Sequence, residues 1–188
     1  MKTLVVVVGI PRSGTSLACD LVRICGYNLG AVAMTRDVRR GRNHHPVHSN
    51  ARYTSFDGIR KWVADLDEEG ITAIKLIPEF ETMLPIINKV VEDLRVVVTT
   101  REVREAVVSH IEYALLTDPL NNYREVKGLR DKIVKAADGV LDRDEAILRL
   151  LEDPDIKTHN LDFMMVQNHD VRTFSALKRF LSSDVDET

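Results

Sequence analysis

The sequence predicts one α/β domain of three layers, with helices covering both faces of a central, mainly parallel sheet. Leu4–Val8 is short, continuous and rich in β-branched residues, as a strand buried on both faces is, and Leu94–Thr100 reads as a further strand. Strand-like runs alternate with amphipathic segments of helical length, which is the order of a doubly wound sheet. A length of 188 residues suits one domain with a full core. Residues 1–188 therefore read as a single unit, with no repeat, low-complexity tract or linker.

Each element has its own signal. Leu4–Val8 is the first strand, and Gly9-Ile-Pro-Arg-Ser-Gly14 breaks it. Thr15 and Ser16 open a helix that stops at Gly26, with Leu17, Leu21, Ile24 and Cys25 expected on its buried face. Asn28 to Asn50 shows no periodicity and holds Arg36, Arg39, Arg40 and Arg42, then His44, His45 and His48. A long basic loop is expected there, about 29–52. Ser55 caps a second helix that runs through Trp62 to about Asp67 and stops at Gly70. Ile71–Ile77 is a strand closed by Pro78, and a helix follows from Glu79 to Asp93. Leu94–Thr100 is the next strand. Arg101–Leu116 is helical, with Val103, Val107, Ile111 and Ala114 on the buried face. Asp118–Asn122 is a turn-rich break between that helix and two further ones, Tyr123–Ala137 and Arg143–Glu152. Phe163–Val166 is expected as the last strand and Val171–Leu181 as the closing helix.

Composition narrows the function. Twenty-six Lys and Arg against 29 Asp and Glu give a net charge of −3, which disfavours general nucleic-acid binding. Five Phe, four Tyr and one Trp leave little for a base-stacking surface. Cys19 and Cys25 form neither a disulfide framework nor a zinc or redox motif, so a reducing, cytoplasmic setting is expected. The N-terminal apolar run of about five residues is too short for a signal core or a membrane span.

Gly9-x4-Gly14 followed by Thr15-Ser16 lies between a predicted strand and a predicted helix. In that context glycines let several N–H groups aim at one phosphate or sulfate. The helix N-terminus adds partial positive charge, and Ser13, Thr15 and Ser16 add hydroxyls. A nucleotide triphosphatase loop carries lysine where Thr15 stands; here the positive charge is three positions earlier, at Arg12. Neither the strand ending Thr99-Thr100-Arg101 nor the one ending at Pro78 supplies the aspartate with which such enzymes hold magnesium. Fixed cations rather than a metal are therefore expected.

Pro11-Arg-Ser-Gly-Thr-Ser16 resembles the 5′-phosphosulfate loop of the sulfotransferases that use 3′-phosphoadenosine 5′-phosphosulfate (PAPS). Val96-Val-Val-Thr-Thr-Arg101, with Ser109 eight positions on, resembles that family's 3′-phosphate motif. The family carries a proline two residues after this arginine, where this chain has Val103. The resemblance implies a P-loop-like fold, with Arg12 on the phosphosulfate and Gly14, Thr15 and Ser16 on the 5′-phosphate. Arg101 and Ser109 would hold the 3′-phosphate: a guanidinium fork gives paired charge-assisted bonds, and a hydroxyl meets a further oxygen. Ala73-Ile-Lys75 is similar to the family's lysine-bearing strand, and Leu161–Val166 with Phe180-Leu181 to its terminal strand and helix.

Sulfuryl transfer needs positioned cations where charge develops, and Arg12 and Lys75 are the candidates. The family's histidine position on the second strand is Ile77 here. His45, in the basic loop, is the expected base, since an imidazole titrates near neutrality; Glu79, His44 and His48 are further candidates. The set His44, His45 and His48 lacks both a fourth ligand and zinc spacing. The arginines between Arg36 and Arg42 suit an anionic acceptor or a cover over the cofactor. The expected activity is transfer from PAPS to a hydroxyl or amine of a small-molecule or carbohydrate acceptor, leaving adenosine 3′,5′-bisphosphate. A P-loop nucleotide or small-molecule kinase and a non-catalytic nucleotide-binding relative remain the alternatives.

Overall fold

The computed structural model describes residues 1–30, 35–37, 42–44, 55–76, 80–117, 126–168 and 170–182. In chain order the first elements are β1 (Thr3–Gly9), α1 (Thr15–Ile24), β2 (Thr35–Asp37), β3 (Arg42–His44) and α2 (Phe56–Glu68). There follow β4 (Ala73–Lys75), α3 (Phe80–Val90), β5 (Asp93–Thr100) and α4 (Val103–Thr117). The chain continues through α5 (Val126–Glu152), β6 (Lys157–Asp162), α6 (Phe163–Gln167) and α7 (Val171–Ser182).

Four strands form a parallel sheet in the order β4-β1-β5-β6. Side chains alternate across a strand, and both faces of β1 are fully buried. Leu4, Val6, Val8, Ile74, Val96 and Val98 face one layer, built by α2, α3, α4 and α5. Val5, Val7, Ala73 and Val97 face the other, against α1 and α7. This is why Leu4–Val8 in β1 and Val96–Val98 in β5 read as unbroken apolar runs. Ser55 caps α2 as expected, its hydroxyl accepting the Gly58 N–H at 3.2 Å. Among the described residues no helix is long and apolar enough to cross a membrane.

Several expectations need correction. The buried face of α1 is Ala18, Cys19 and Val22, with Thr15, whereas Leu17 is 39% and Ile24 68% exposed. The helix meets Val5, Val7 and Ala73 through Ala18, Cys19 and Val22; two of these are small, which lets it lie close to the sheet and leaves Leu17 and Ile24 outside, while Leu21 and Cys25 of the expected face pack half-buried against the same layer. Among the described side chains of α4 the fully buried one is Ala106, while Val103, Val107 and Ile111 are half-buried; the side chain of Ala114 lies outside the described residues. The last strand is β6, and Phe163–Gln167 is helical. The Asp162 carboxylate accepts the N–H groups of Met164 and Met165 at 2.7 and 3.2 Å, which turns the chain into α6. The two helices expected between Tyr123 and Glu152 are one 27-residue helix over its described length.

Within the expected loop from Asn28 to Asn50, β2 and β3 pair as an antiparallel ribbon with Asp37 opposite Arg42. Its strands are polar, so no apolar alternation marks them. The strand at Ile71–Ile77 is shorter than expected, and Ile77, Pro78 and Glu79 lie outside the described residues, as does the Asp118–Asn122 break.

Arg95 shares the Val97 face and fastens α7. Its guanidinium donates to the Asp93 carboxylate at 2.6 Å and to the carbonyl oxygens of Phe180 and Leu181. Burial pushes the Asp93 carboxyl up, but the hydrogen bonds and charges of Lys157 and Arg95 outweigh it and hold the group below its ordinary value.

Gly139 lies inside α5, where a Cβ would meet nothing closer than the Arg143 guanidinium at 4.0 Å. Gly139→Ala should therefore stabilise the protein by about 0.5–1 kcal/mol, read as a higher urea midpoint at unchanged slope.

Candidate functional site

Adjacent strands β1 and β5 send their chains to opposite faces of the sheet, β1 into α1 and β5 into α4 and α5. Such divergence opens a crevice at the carboxyl ends of the strands, the usual ligand position in an open α/β sheet. Gly9 and Thr99 are register partners at that edge. A Cβ on Gly9 would collide with the Thr99 hydroxyl and carbonyl and with the Ser13 hydroxyl, so only glycine fits.

The loop from Ile10 to Ser16 is tied down from beneath. The Ser13 N–H and hydroxyl both reach the Ile10 carbonyl, at 3.2 and 2.8 Å. The Ser13 and Thr99 hydroxyls are 2.6 Å apart, and Thr99 also reaches the Val8 carbonyl at 3.2 Å. Ser13 is fully buried, so its hydroxyl serves the loop's own fold. Arg12 and Gly14 on either side have left-handed φ of 68° and 89°. Gly14 caps α1 with no side-chain bond, and the Ala18 N–H to the Gly14 carbonyl begins the helical ladder. The N–H groups of Thr15, Ser16 and Leu17 accordingly have no carbonyl one turn back within the helix.

Cations gather around this loop. Arg12 Nε donates to Ser109 Oγ at 3.3 Å, and its guanidinium lies 5.1 Å from the Tyr113 ring centre. Arg101 donates to the Arg12 carbonyl at 3.2 Å and to the Glu105 carboxylate at 3.1 Å, and sits 4.8 Å over the Phe163 ring. Lys75, at the end of β4, is buried and donates to Ser16 Oγ at 3.2 Å. Burial lowers its pKa; Cys19 opposes that shift and the Arg12 charge adds to it. Cys19 itself is buried, and its thiol is pushed up to about 12, which makes it an inert core residue rather than a nucleophile. Beside Arg101, an open groove of about 330 Å³ is lined by Arg101, Arg104, Glu105, Val108, Ser109 and Glu112.

No family model matches this sequence, and no curated protein matches it.

The structure brings together Arg12, Ser13, Gly14, Thr15, Ser16, Lys75, Arg101 and Ser109, although Arg12 and Ser109 are 97 positions apart. His45 and His48 lie outside the described residues, while His44 pairs with Thr35 in the ribbon. Sequence reasoning missed Thr99, Tyr113, Glu105 and Phe163. Tyr113 follows Ser109 by one helical turn, a spacing that places both on one face; Phe163 gave no signal, because its strand was misplaced. Asp162 was missed for the same reason, and it does end a strand, with its carboxylate capping α6. His110, next to Ser109, has a buried Nδ1 with no partner. Burial lowers its pKa most, with Arg143 and Arg12 adding to the shift, and so favours the neutral imidazole.

The Gly14 backbone is left-handed, and a Cβ there would run into the Phe163 ring. Gly14→Ala should cost about 1–3 kcal/mol. Phe163→Ala in the same chain should relieve part of that cost, giving a coupling of about 0.5–1 kcal/mol in a double-mutant cycle; strict additivity would deny the contact.

Proposed function

We propose that the protein is a PAPS-dependent sulfotransferase with a P-loop-like fold, transferring a sulfuryl group to a hydroxyl or amine acceptor. The carrying observation is the meeting of Arg12, Ser109 and Arg101, with the Arg12 side chain on Ser109 and its carbonyl on Arg101. These residues come from the two segments that resemble the family's 5′- and 3′-phosphate motifs, and they are in direct contact.

The residues fit such a donor. The N–H groups at the start of α1, between Gly14 and Ser16, suit a 5′-phosphate. Arg101 and Ser109 border the groove, where a 3′-phosphate would take the place of Glu105 on the guanidinium. PAPS supplies a sulfuryl group whose bond to the 5′-phosphate breaks as the acceptor attacks. Arg12 and Lys75 are placed to stabilise the charge that develops on the leaving phosphate, and burial makes each cation count for more. The acceptor's proton needs a base, and His45 is our candidate for it. The small-molecule or carbohydrate acceptor would approach from the open side of the crevice.

Calorimetry provides the test. Adenosine 3′,5′-bisphosphate should bind without metal and ATP with magnesium weakly; the reverse order would make the site a kinase's. Arg101→Ala should weaken the bisphosphate about 10- to 100-fold but adenosine 5′-phosphate only slightly, and equal losses would remove the 3′-phosphate assignment. Sulfate transfer from labelled PAPS to a panel of hydroxyl, amine and carbohydrate acceptors separates an enzyme from a non-catalytic binder.

The lowered pKa of Lys75 gives a pH signature. Bound phosphate favours the ammonium, so binding takes up a proton once the free site has begun to lose it. Bisphosphate affinity should therefore fall with rising pH from below the ordinary lysine value of 10.5. Lys75→Arg should flatten that fall, as read by calorimetry across the alkaline range.

A further inference from the structure

The 27-residue helix α5 turns Val140, Ala146, Ile147 and Leu150 into the core. Half a turn round, Val134, Leu141 and Leu148 point to solvent and are 48%, 48% and 53% exposed. Single apolar residues on a surface need no explanation, but these three are seven residues apart. A helix returns to within about 20° of the same direction every heptad, so they stack in a line about 21 Å long. Ala137, Asp144 and Leu151 lie half-buried along one side. Together the six positions alternate by three and four, the spacing of a coiled-coil seam.

Along the other side run Asp131, Asp138, Glu145 and Glu152, all exposed and also seven apart. Every member of this row is acidic. Arg149 belongs chiefly to Glu81, at 2.9 Å, and reaches Glu145 only at 3.8 Å. An apolar seam with one acidic rail specifies its occupant. A second copy packed antiparallel would set rail against rail. Packed parallel, it would set the rail against Val140 and Ile147, which the fold buries. Among the described residues neither arrangement sets a cation directly opposite the rail, since Lys135 and Arg149 lie one position further round the helix, and an anionic lipid surface would be repelled.

We propose that the outer face of α5 is a docking seam for an amphipathic helix of a partner protein, with apolar residues at a/d spacing and lysine or arginine on the flank facing the rail. Asp144 interrupts the seam once and sets the register, as single polar positions in such seams do.

The test uses the full chain and two synthetic helical peptides of about three heptads. Both carry leucine at a/d positions; one has lysine flanks and the other glutamate flanks. Fluorescence anisotropy should show the lysine peptide binding about tenfold tighter or better, with the difference shrinking as salt rises. The pair Leu141→Glu and Leu148→Glu should abolish that binding without lowering the thermal midpoint, since both side chains are exposed. The pair Asp138→Lys and Glu145→Lys should reverse the preference between peptides. Equal binding of both peptides, or binding that survives the leucine changes, would overturn the proposal. So would sedimentation showing a dimer that the leucine changes dissociate, because a second copy would then own the face.

Discussion

The candidate site depends on how closely β1 approaches β5 at Gly9. With no side chain there, the Thr99 hydroxyl occupies the space a Cβ would need and reaches both the Val8 carbonyl and the Ser13 hydroxyl. Ser13 in turn closes on Ile10. The turn that presents the N-terminus of α1 is thereby fixed to the neighbouring strand rather than to its own helix alone. Two residues past Thr99, Arg101 grips the Arg12 carbonyl. One close backbone contact thus sets the spacing between the two segments proposed to bind the donor's phosphates, a pre-organisation that would avoid an entropy cost on binding.

Holding Arg12, Arg101 and Lys75 near one another works against stability. Lys75 is buried beside the Arg12 charge, and both effects depress its pKa. Arg12 also adopts a left-handed backbone, which costs about 1–2 kcal/mol for a residue with a Cβ. The scaffold tolerates this because the strain lies at the edge of a sheet buried on both faces. Aromatic rings take up part of the charge: Tyr113 lies against Arg12 and Phe163 against Arg101, contacts worth about 0.5–2 kcal/mol each. Phe163 also fills the space over Gly14, so the chain after β6 packs on the Gly14 loop and on Arg101 at once.

What could be read in the sequence follows from burial. β1 and β5 are buried on both faces, with unbroken valine runs at their centres, and are legible to within a residue or two, as is the glycine loop between β1 and α1. β6 is not, because an edge strand needs few apolar residues, and Leu161 is the one residue of this strand that is buried. Its neighbour Phe163 reads as strand by composition, yet the Asp162 carboxylate caps a helix there. The face of α1 was misjudged because hydrophobicity favoured Leu17 and Ile24, while close packing on the sheet favoured Ala18 and Cys19. In the candidate site, loop and arginine spacings exposed Arg12, Arg101 and Ser109. They gave no hint that the Ser13 hydroxyl points inward or that Thr99 anchors it, since those are contacts between strands.

The Arg101–Glu105 pair bears on how the proposed site would hold its arginine before a ligand arrives. One turn apart on an exposed helix start, such a pair contributes only about 0.3–0.5 kcal/mol. It still holds the guanidinium in one orientation, together with the Arg12 carbonyl and the Phe163 ring. A phosphate offers two acceptor oxygens and more charge than a carboxylate, and charge-assisted paired bonds are the stronger kind. On the proposed reading, a phosphate would replace Glu105 on the guanidinium, and little of the arginine's freedom would remain to be lost. Glu105 and Glu112 also disfavour a groove filled with negative charge along its whole length. The arrangement suits a ligand whose anionic groups are few and placed at the arginine end, with an uncharged body against Val108.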